Sequence, residues 1–177
     1  SGGQTLVNVL AGYEVNYQGE IFFNDKKVTY RDLIKITFCV ESNPKYIKKK
    51  LFRKNTVISY LKTAIENNKS FKDNLENVIK VFGLHRLNHD IRYTSGEQWR
   101  ILLALGYCMG KKVFCFNWLN YWQLRYFLEG YKNLLNYLKE KGCIVIIPTD
   151  KTEGIEVLFD KIVNIYNNLE FQKIHNL

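Results

Sequence analysis

Apolar residues recur every three or four positions in several parts of this chain, a spacing typical of helices that bury one face. Glycine follows three of these stretches at Gly12, Gly83 and Gly142, and helices commonly end at such residues. Ser95, with Gln98 three residues later, matches the capping box that begins a helix. Together these patterns predict helices at 5–11, 56–65, 71–82, 95–109, 122–141 and 153–159.

Other apolar stretches are short and lack that spacing, which favours strands. Asn24-Asp25 lies between two such stretches and predicts an antiparallel hairpin of 20–23 with 27–30. Strands that are apolar on both faces and alternate with helices indicate an α/β fold with a mainly parallel sheet. The strands predicted for that sheet are 34–40, 113–116, 143–147 and 161–166.

The composition fits one globular domain over residues 1–177. Hydrophobic residues make up 46% of the chain and charged residues 24%, which are ordinary values for a folded domain. No apolar run reaches the roughly 18 residues that a membrane-spanning helix needs, and no secretory signal opens the chain. The four cysteines lie in apolar stretches without C-x-x-C spacing, which favours buried thiols in the cytoplasm.

The net charge of +9 is concentrated in part at residues 45–54, where six of ten residues are lysine or arginine. Such a run could bind nucleic acid or an anionic surface, and strong dependence of binding on salt would reveal it. Basic runs are weak motifs, however, and a solvated loop and helix start is the favoured interpretation of this one. No nucleic-acid partner is expected on this evidence.

The residues from 93 to 118 carry the most specific pattern. Thr94-Ser95-Gly96-Glu97 precedes an apolar helix, and the strand 113–116 follows and ends at Asn117-Trp118. This order resembles the signature loop and Walker B strand of ATP-binding cassette (ABC) ATPases. In that family the strand ends in an aspartate that holds magnesium and a catalytic glutamate. Asn117 and Trp118 stand at those two positions.

The resemblance extends along nearly the whole chain in the family's order. Gly3, Gln4 and Thr5 are similar to the last glycine, the lysine and the hydroxyl residue of the Walker A phosphate loop. Residues 19–24 resemble the hairpin that follows, and residues 160–163 the strand near the end of the domain. Glu41 stands at the Q-loop glutamine, and Asp150 at the switch histidine.

Two of these features are typical of one subfamily. Glu41, and the segment 149–153 that resembles S-E-L-P-E, look like the second nucleotide-binding half of ATPases from simple-sugar importers. The resemblance implies a P-loop NTPase-like fold whose N-terminal strand and first half of the phosphate loop are missing. The chain is therefore expected to be a domain truncated at its N terminus.

The departures from the family motifs imply weak or absent binding of ATP and Mg²⁺. Gln4 offers a neutral amide where a lysine would meet phosphate, and Asn117 a neutral oxygen where magnesium prefers a carboxylate. Trp118 cannot position a hydrolytic water, and Asp150 cannot donate as a histidine does at neutral pH. The degenerate site residues are thus Gly3, Gln4, Thr5, Glu41, Asn117, Trp118 and Asp150, with no metal site and no catalytic residue.

The resemblance implies a structural or regulatory ATPase-like domain that works with partners. A second ABC ATPase domain, a transporter membrane subunit, or both are expected partners, at the inner face of the membrane. The signature loop, Thr94 to Glu97, would remain available to a partner's nucleotide. One alternative is a fragment of an active ATP-hydrolysing subunit, which the sequence upstream of Ser1 would decide. Another is a binder of nucleic acid or anionic surfaces through residues 45–54.

Overall fold

The computed structural model describes residues 2–40 and 56–165. The first helix, α1, spans Gly2–Leu10 and is followed by an antiparallel hairpin of β1 (Ile21–Phe23) and β2 (Lys26–Val28). Asn24 and Asp25 both have positive φ, 50° and 59°, as expected for the two-residue turn of such a hairpin. The predicted hairpin is confirmed.

The main sheet contains three parallel strands among the described residues. They are β3 (Thr37–Val40), β4 (Val113–Phe116) and β5 (Ile144–Ile146), in the spatial order β3-β4-β5. α2 (Tyr30–Ile36) leads from the hairpin into β3. Three helices, α3 (Val57–Asn67), α4 (Leu75–Phe82) and α5 (Gln98–Cys108), lie between β3 and β4, and α6 (Tyr121–Glu140) lies between β4 and β5. The predicted α/β class, with a parallel sheet and an antiparallel hairpin, is confirmed.

The sheet is covered on both faces. On one face Phe38, Phe114 and Phe116 pack against helices α3 to α6 in the larger core. On the other face Cys39 and Cys115 pack against α1. Because successive residues of a strand point to opposite faces, a strand buried on both sides reads as a continuous apolar run. β3 and β4 are buried at every position.

Two predicted strands were wrong in part. The apolar segment 34–40 was predicted as one strand, but its first three residues belong to α2. Thr29 and Asp32 form a capping box there, with each side chain bonded to the other's backbone N–H. That cap begins a helix that continues through β-branched Ile34 and Ile36. The strand predicted at 161–166 is absent from 161–165, and Tyr166 lies outside the described residues.

The strand predicted at 143–147 is present as β5, which pairs in parallel with β4, but it is less buried than a strand covered on both faces would be. Ile144 is 49% exposed and Ile146 is half-buried. Within the described residues β5 pairs on only one side, so it forms an edge of this sheet. Edge strands are covered less completely than central ones.

Candidate functional site

The side chain of Gln4 meets the end of β4 at the carboxyl edge of the sheet. Its Oε1 accepts a hydrogen bond of 2.8 Å from the backbone N–H of Trp118. α1 lies on the face of the sheet that Cys115 occupies, and this places its first turn beside the residues that follow β4. Two residues that the sequence assigned to one site therefore touch, although 114 positions separate them.

The other end of the Gln4 amide is also engaged. Its Nε2 donates to Oδ1 of Asn8 over 3.2 Å, four residues along the same helix. Gly3 lies against the end of β5, because a Cβ added there would come within 3.0 Å of the Cβ of Pro148. The first turn of α1 therefore contacts the residues that follow both β4 and β5. Thr5, on the same helix, is exposed.

The remaining residues of this edge follow the strands directly. Leu119 pairs with Thr149 in a parallel bridge, and its N–H donates to the carbonyl of Pro148 over 3.0 Å. Asn117 and Asp150 are both exposed, and the carboxylate of Asp150 accepts from the Thr149 hydroxyl over 3.3 Å. The edge therefore gathers Gly3, Gln4, Asn117, Trp118 and Asp150, which we call the α1 edge.

Glu97 does not point outward from the loop that resembles the signature. Its Oε2 accepts hydrogen bonds from the backbone N–H groups of His85 and Arg86, at 3.0 and 3.2 Å. Thr94 is buried, and its hydroxyl donates to the carbonyl of Ile91 over 2.7 Å. These contacts hold the loop from both ends.

Ser95 and Gly96 form the exposed tip of the same loop. The prediction that Ser95 caps the following helix was wrong, because α5 begins at Gln98. Glu97 occupies the N-cap position, and its side chain makes no hydrogen bond to the first turn of the helix. Gly96 has φ +87°, and no atom lies within 4 Å of where its Cβ would be. The tip therefore needs glycine for its backbone and leaves open space above it.

Exposed aromatic side chains lie beside the α1 edge. Trp118 is 42% exposed, and Trp122 and Tyr126, one turn apart on α6, are each 72% exposed. Tyr121 packs edge-on against Trp122, with ring centroids 5.3 Å apart. Leu119, by contrast, is buried. We call Trp118, Tyr121, Trp122 and Tyr126 the aromatic surface.

Several predicted features carry no site in the part of the chain that the structure describes. Glu41 and the basic run at 45–54 lie outside the described residues. All four cysteines are buried, and burial raises the pKa of the Cys108 and Cys115 thiols to about 12. Within residues 2–40 and 56–165 no group of three His, Cys, Asp or Glu residues could hold a metal ion. No helix in these ranges has the length and apolar character to cross a membrane.

Sequence reasoning missed the partners that hold this site in place. Asn8 could have been found, because residues four apart on a helix are neighbours. Pro148 and the amides of His85 and Arg86 carry no local signal, since their role depends on distant segments. At the α1 edge the Gln4 amide is bonded within the protein at both ends, and the side chain of Asn117 carries no charge.

The fold is that of ABC transporter ATP-binding cassettes. The structure resembles cbiO1 from Clostridium perfringens, part of the ABC transporter complex cbiONQ, with a TM-score of 0.62 and 20% identity. A putative ABC transporter ATP-binding protein from Pyrococcus furiosus has a TM-score of 0.59 and is 21% identical. For a dimeric ATP-binding cassette in a post-hydrolysis state, bound to ADP and Pi, the TM-score is 0.55 and the identity 16%.

These likenesses cover most of this chain and a smaller share of the others. The alignments span 88%, 86% and 85% of this chain, but 65%, 75% and 70% of the three solved chains in the same order. No family model matches the sequence, and no curated protein matches it. At this level of identity the comparison establishes the fold.

Proposed function

We propose that this chain is a degenerate ATP-binding domain of an ABC transporter, with a structural or regulatory role and no hydrolytic activity of its own. The hydrogen bond between Gln4 and the Trp118 N–H carries this proposal. These are the positions of the phosphate-binding lysine and the catalytic glutamate in the family that the sequence resembles. Their contact engages, within the protein, the side chain that would have to meet phosphate.

The chemistry of the individual side chains supports the same conclusion. A phosphate loop needs a cation near the β and γ phosphates, and Gln4 is neutral. Magnesium prefers anionic oxygen ligands, and the amide of Asn117 is uncharged. The indole of Trp118 has no basic atom with which to accept a proton from water. No step of ATP hydrolysis can be assigned to these residues.

The exposed tip at Ser95 and Gly96 supports a role at an interface. In ABC ATPases, nucleotide lies between the phosphate loop of one domain and the signature loop of another. The Glu97 hydrogen bonds tie the loop to the backbone of His85 and Arg86, and the space above Gly96 is open. Large aromatic side chains such as Trp118 and Trp122 are enriched where proteins meet.

We therefore propose a second, intact ABC ATPase domain as the partner, with a transporter membrane subunit as a further one. The dimeric cassette with ADP and Pi is a solved example of such pairing in a protein of this fold. Glu41 and the 149–153 segment favour a simple-sugar importer. On this proposal the chain works at the cytoplasmic face of the membrane.

Phosphate release by the isolated chain tests the first half of the proposal. We expect no release above a buffer blank, and no saturable binding of Mg-ATP by fluorescence titration. Release that exceeds the blank and disappears in Thr5→Ala would overturn the proposal. It would favour the alternative of a fragment from an active subunit.

Association tests the second half. Sedimentation of the chain with an intact ABC ATPase domain and ATP should reveal a complex that Gly96→Asp with Trp118→Ala weakens about tenfold or more. Gly19→Asp with Phe22→Ala is a matched control on the hairpin side. Gly19 also has positive φ, 114°, and an open Cβ position, and Phe22 is 59% exposed. Equal association of both double variants, or none with the wild type, would contradict the interface.

A further inference from the structure

A cavity of about 380 Å³ lies between three helices, away from the α1 edge. The end of α4, the first turn of α5 and the middle of α6 form its walls. Its polar lining comes from Lys80, Arg100, Glu129, Lys132 and Asn133. We call it the α4–α6 cavity.

Arg100 is held in a fixed orientation at this cavity. Its two terminal nitrogens donate to the carbonyls of Phe82 and Gly130, at 3.4 and 3.0 Å. The guanidinium lies over the ring of Tyr131, 4.7 Å from its centroid. A guanidinium has five N–H donors in a rigid plane, which is more than these contacts use.

The cavity carries an excess of positive charge. Among the described residues no carboxylate lies within ion-pair distance of Lys80, Arg100 or Lys132. Glu129, the one acidic residue of the lining, is bonded to Arg125 at 2.8 Å. Three cationic residues thus line the space, while the one acidic residue of the lining is paired with Arg125.

Gly130 gives an independent indication that something approaches this wall. It lies in the middle of the 20-residue helix α6, where glycine costs about 1 kcal/mol relative to alanine. Apart from its chain neighbours and the backbone of α6 itself, no atom lies within 4 Å of where its Cβ would be, so no packing contact in the described protein requires glycine there. A ligand that contacts the helix backbone would require it.

We propose that the α4–α6 cavity binds a small organic phosphate. A phosphoryl group matches a lining with three cationic residues, and the planar guanidinium suits its oxygens. The cavity is larger than a phosphate ion and falls in the size range of small-molecule sites. Val81 and Leu134 supply apolar surface for the carbon portion of the ligand.

Calorimetric titration of the whole chain with glycerol 3-phosphate tests this site, with inorganic phosphate and glycerol titrated in parallel. We expect millimolar or tighter binding of glycerol 3-phosphate, weaker binding of inorganic phosphate, and none of glycerol. Amide resonances of residues 80–83 and 129–134 should shift on binding. Equal binding of inorganic phosphate would overturn the organic part of the proposal, and no binding at about 10 mM would overturn all of it.

Charge reversal separates this site from general attraction to a basic protein. Lys80→Glu with Lys132→Glu should weaken binding by about tenfold or more. Lys62→Glu with Lys69→Glu changes the net charge equally at two exposed lysines outside the cavity, and should weaken it less than about twofold. An equal loss in both variants would overturn the site. Gly130→Leu, which places an apolar side chain in the open space beside α6, should abolish binding while α6 stays folded.

Discussion

The Oε1 atom of Gln4 and the backbone N–H of Trp118 form a hydrogen bond of 2.8 Å between the first turn of α1 and the residue two beyond the end of β4. A lysine at position 4 would leave that N–H without this acceptor, because lysine has donors only. On our proposal that position 4 corresponds to the phosphate-loop lysine, glutamine there changes the local structure as well as the charge. Its side chain joins two elements of the fold, where a lysine would face ligand.

Replacing Gln4 by alanine should lower the free energy of unfolding by about 1 kcal/mol. The Trp118 N–H loses its acceptor, and partial exposure lets water replace some of the lost bond. Urea denaturation would measure the change. Gln18→Ala is the control, because Gln18 is exposed and should shift the free energy by less than about 0.5 kcal/mol. Equal effects would show that the hydrogen bond contributes nothing.

Two helical glycines should respond oppositely to alanine. A Cβ at Gly106 would lie 2.6 Å from Phe114 and 2.8 Å from Phe38, both buried. Gly106→Ala should therefore destabilise the fold by about 1–3 kcal/mol through overpacking. Gly130→Ala meets open space and should stabilise it by about 0.5–1 kcal/mol. Thermal unfolding compares the two, and stabilisation by both would refute the close packing of α5 on the sheet.

Removing the Tyr137 hydroxyl should weaken the contact between α4 and α6. It donates to Asp73 over 2.7 Å, and the Tyr107 hydroxyl lies 3.2 Å away. Tyr137→Phe should lower the free energy of unfolding by about 1 kcal/mol at neutral pH. Hydrogen bonds to charged groups contribute more than this when buried, but the site is partly exposed. Tyr126→Phe, on the same helix and 72% exposed, is the control and should cost less than about 0.5 kcal/mol.

The effect of Tyr137→Phe should also depend on pH. Burial alone would raise the pKa of Asp73, but hydrogen bonds from Tyr137 and Asn77 outweigh it and hold that pKa below its usual value. A lowered carboxyl pKa contributes stability above the unfolded-state value, about 4, and the contribution disappears as pH falls through the folded-state value. The difference between wild type and Tyr137→Phe should thus be full above pH 4 and shrink below it. A constant difference would exclude the ionised Asp73 as the cause.

Charged substitutions along β5 should reveal its position at the edge of the sheet. Ile146 packs against the smaller core, on the face of the sheet that α1 covers. Ile146→Asp should therefore lower the free energy of unfolding by about 2–4 kcal/mol, because it places a charge in that core. Ile144 is 49% exposed, and Ile144→Asp should cost less than about 1 kcal/mol. Chemical denaturation of both variants would show the contrast. A soluble Ile146→Asp variant of unchanged stability would contradict the packing of β5 on this core.

Local pattern alone determined most of the elements. The hairpin follows from Asn24-Asp25, since few residues accept positive φ at both turn positions. α6 follows from its apolar spacing, and it begins at a capping box of Asn120 and Gln123. The order of motifs also indicated, through a family resemblance, that Gln4 and Trp118 belong to one site. These features depend on residues close together in the chain, or on their order.

Tertiary contacts decided the rest. Ser95 looks like a helix cap in the sequence, but the carboxylate of Glu97 reaches the amides of His85 and Arg86, twelve and eleven residues earlier. The Gln4 bond to Trp118 joins positions 114 apart, and Arg100 reaches a carbonyl 30 residues away. No local pattern contains such pairs, because each joins a side chain to a backbone group of a distant segment, and only packing brings the two atoms within hydrogen-bond distance. The sequence therefore determined which segments form helices and strands, and the packed fold decided which distant polar groups bond to one another.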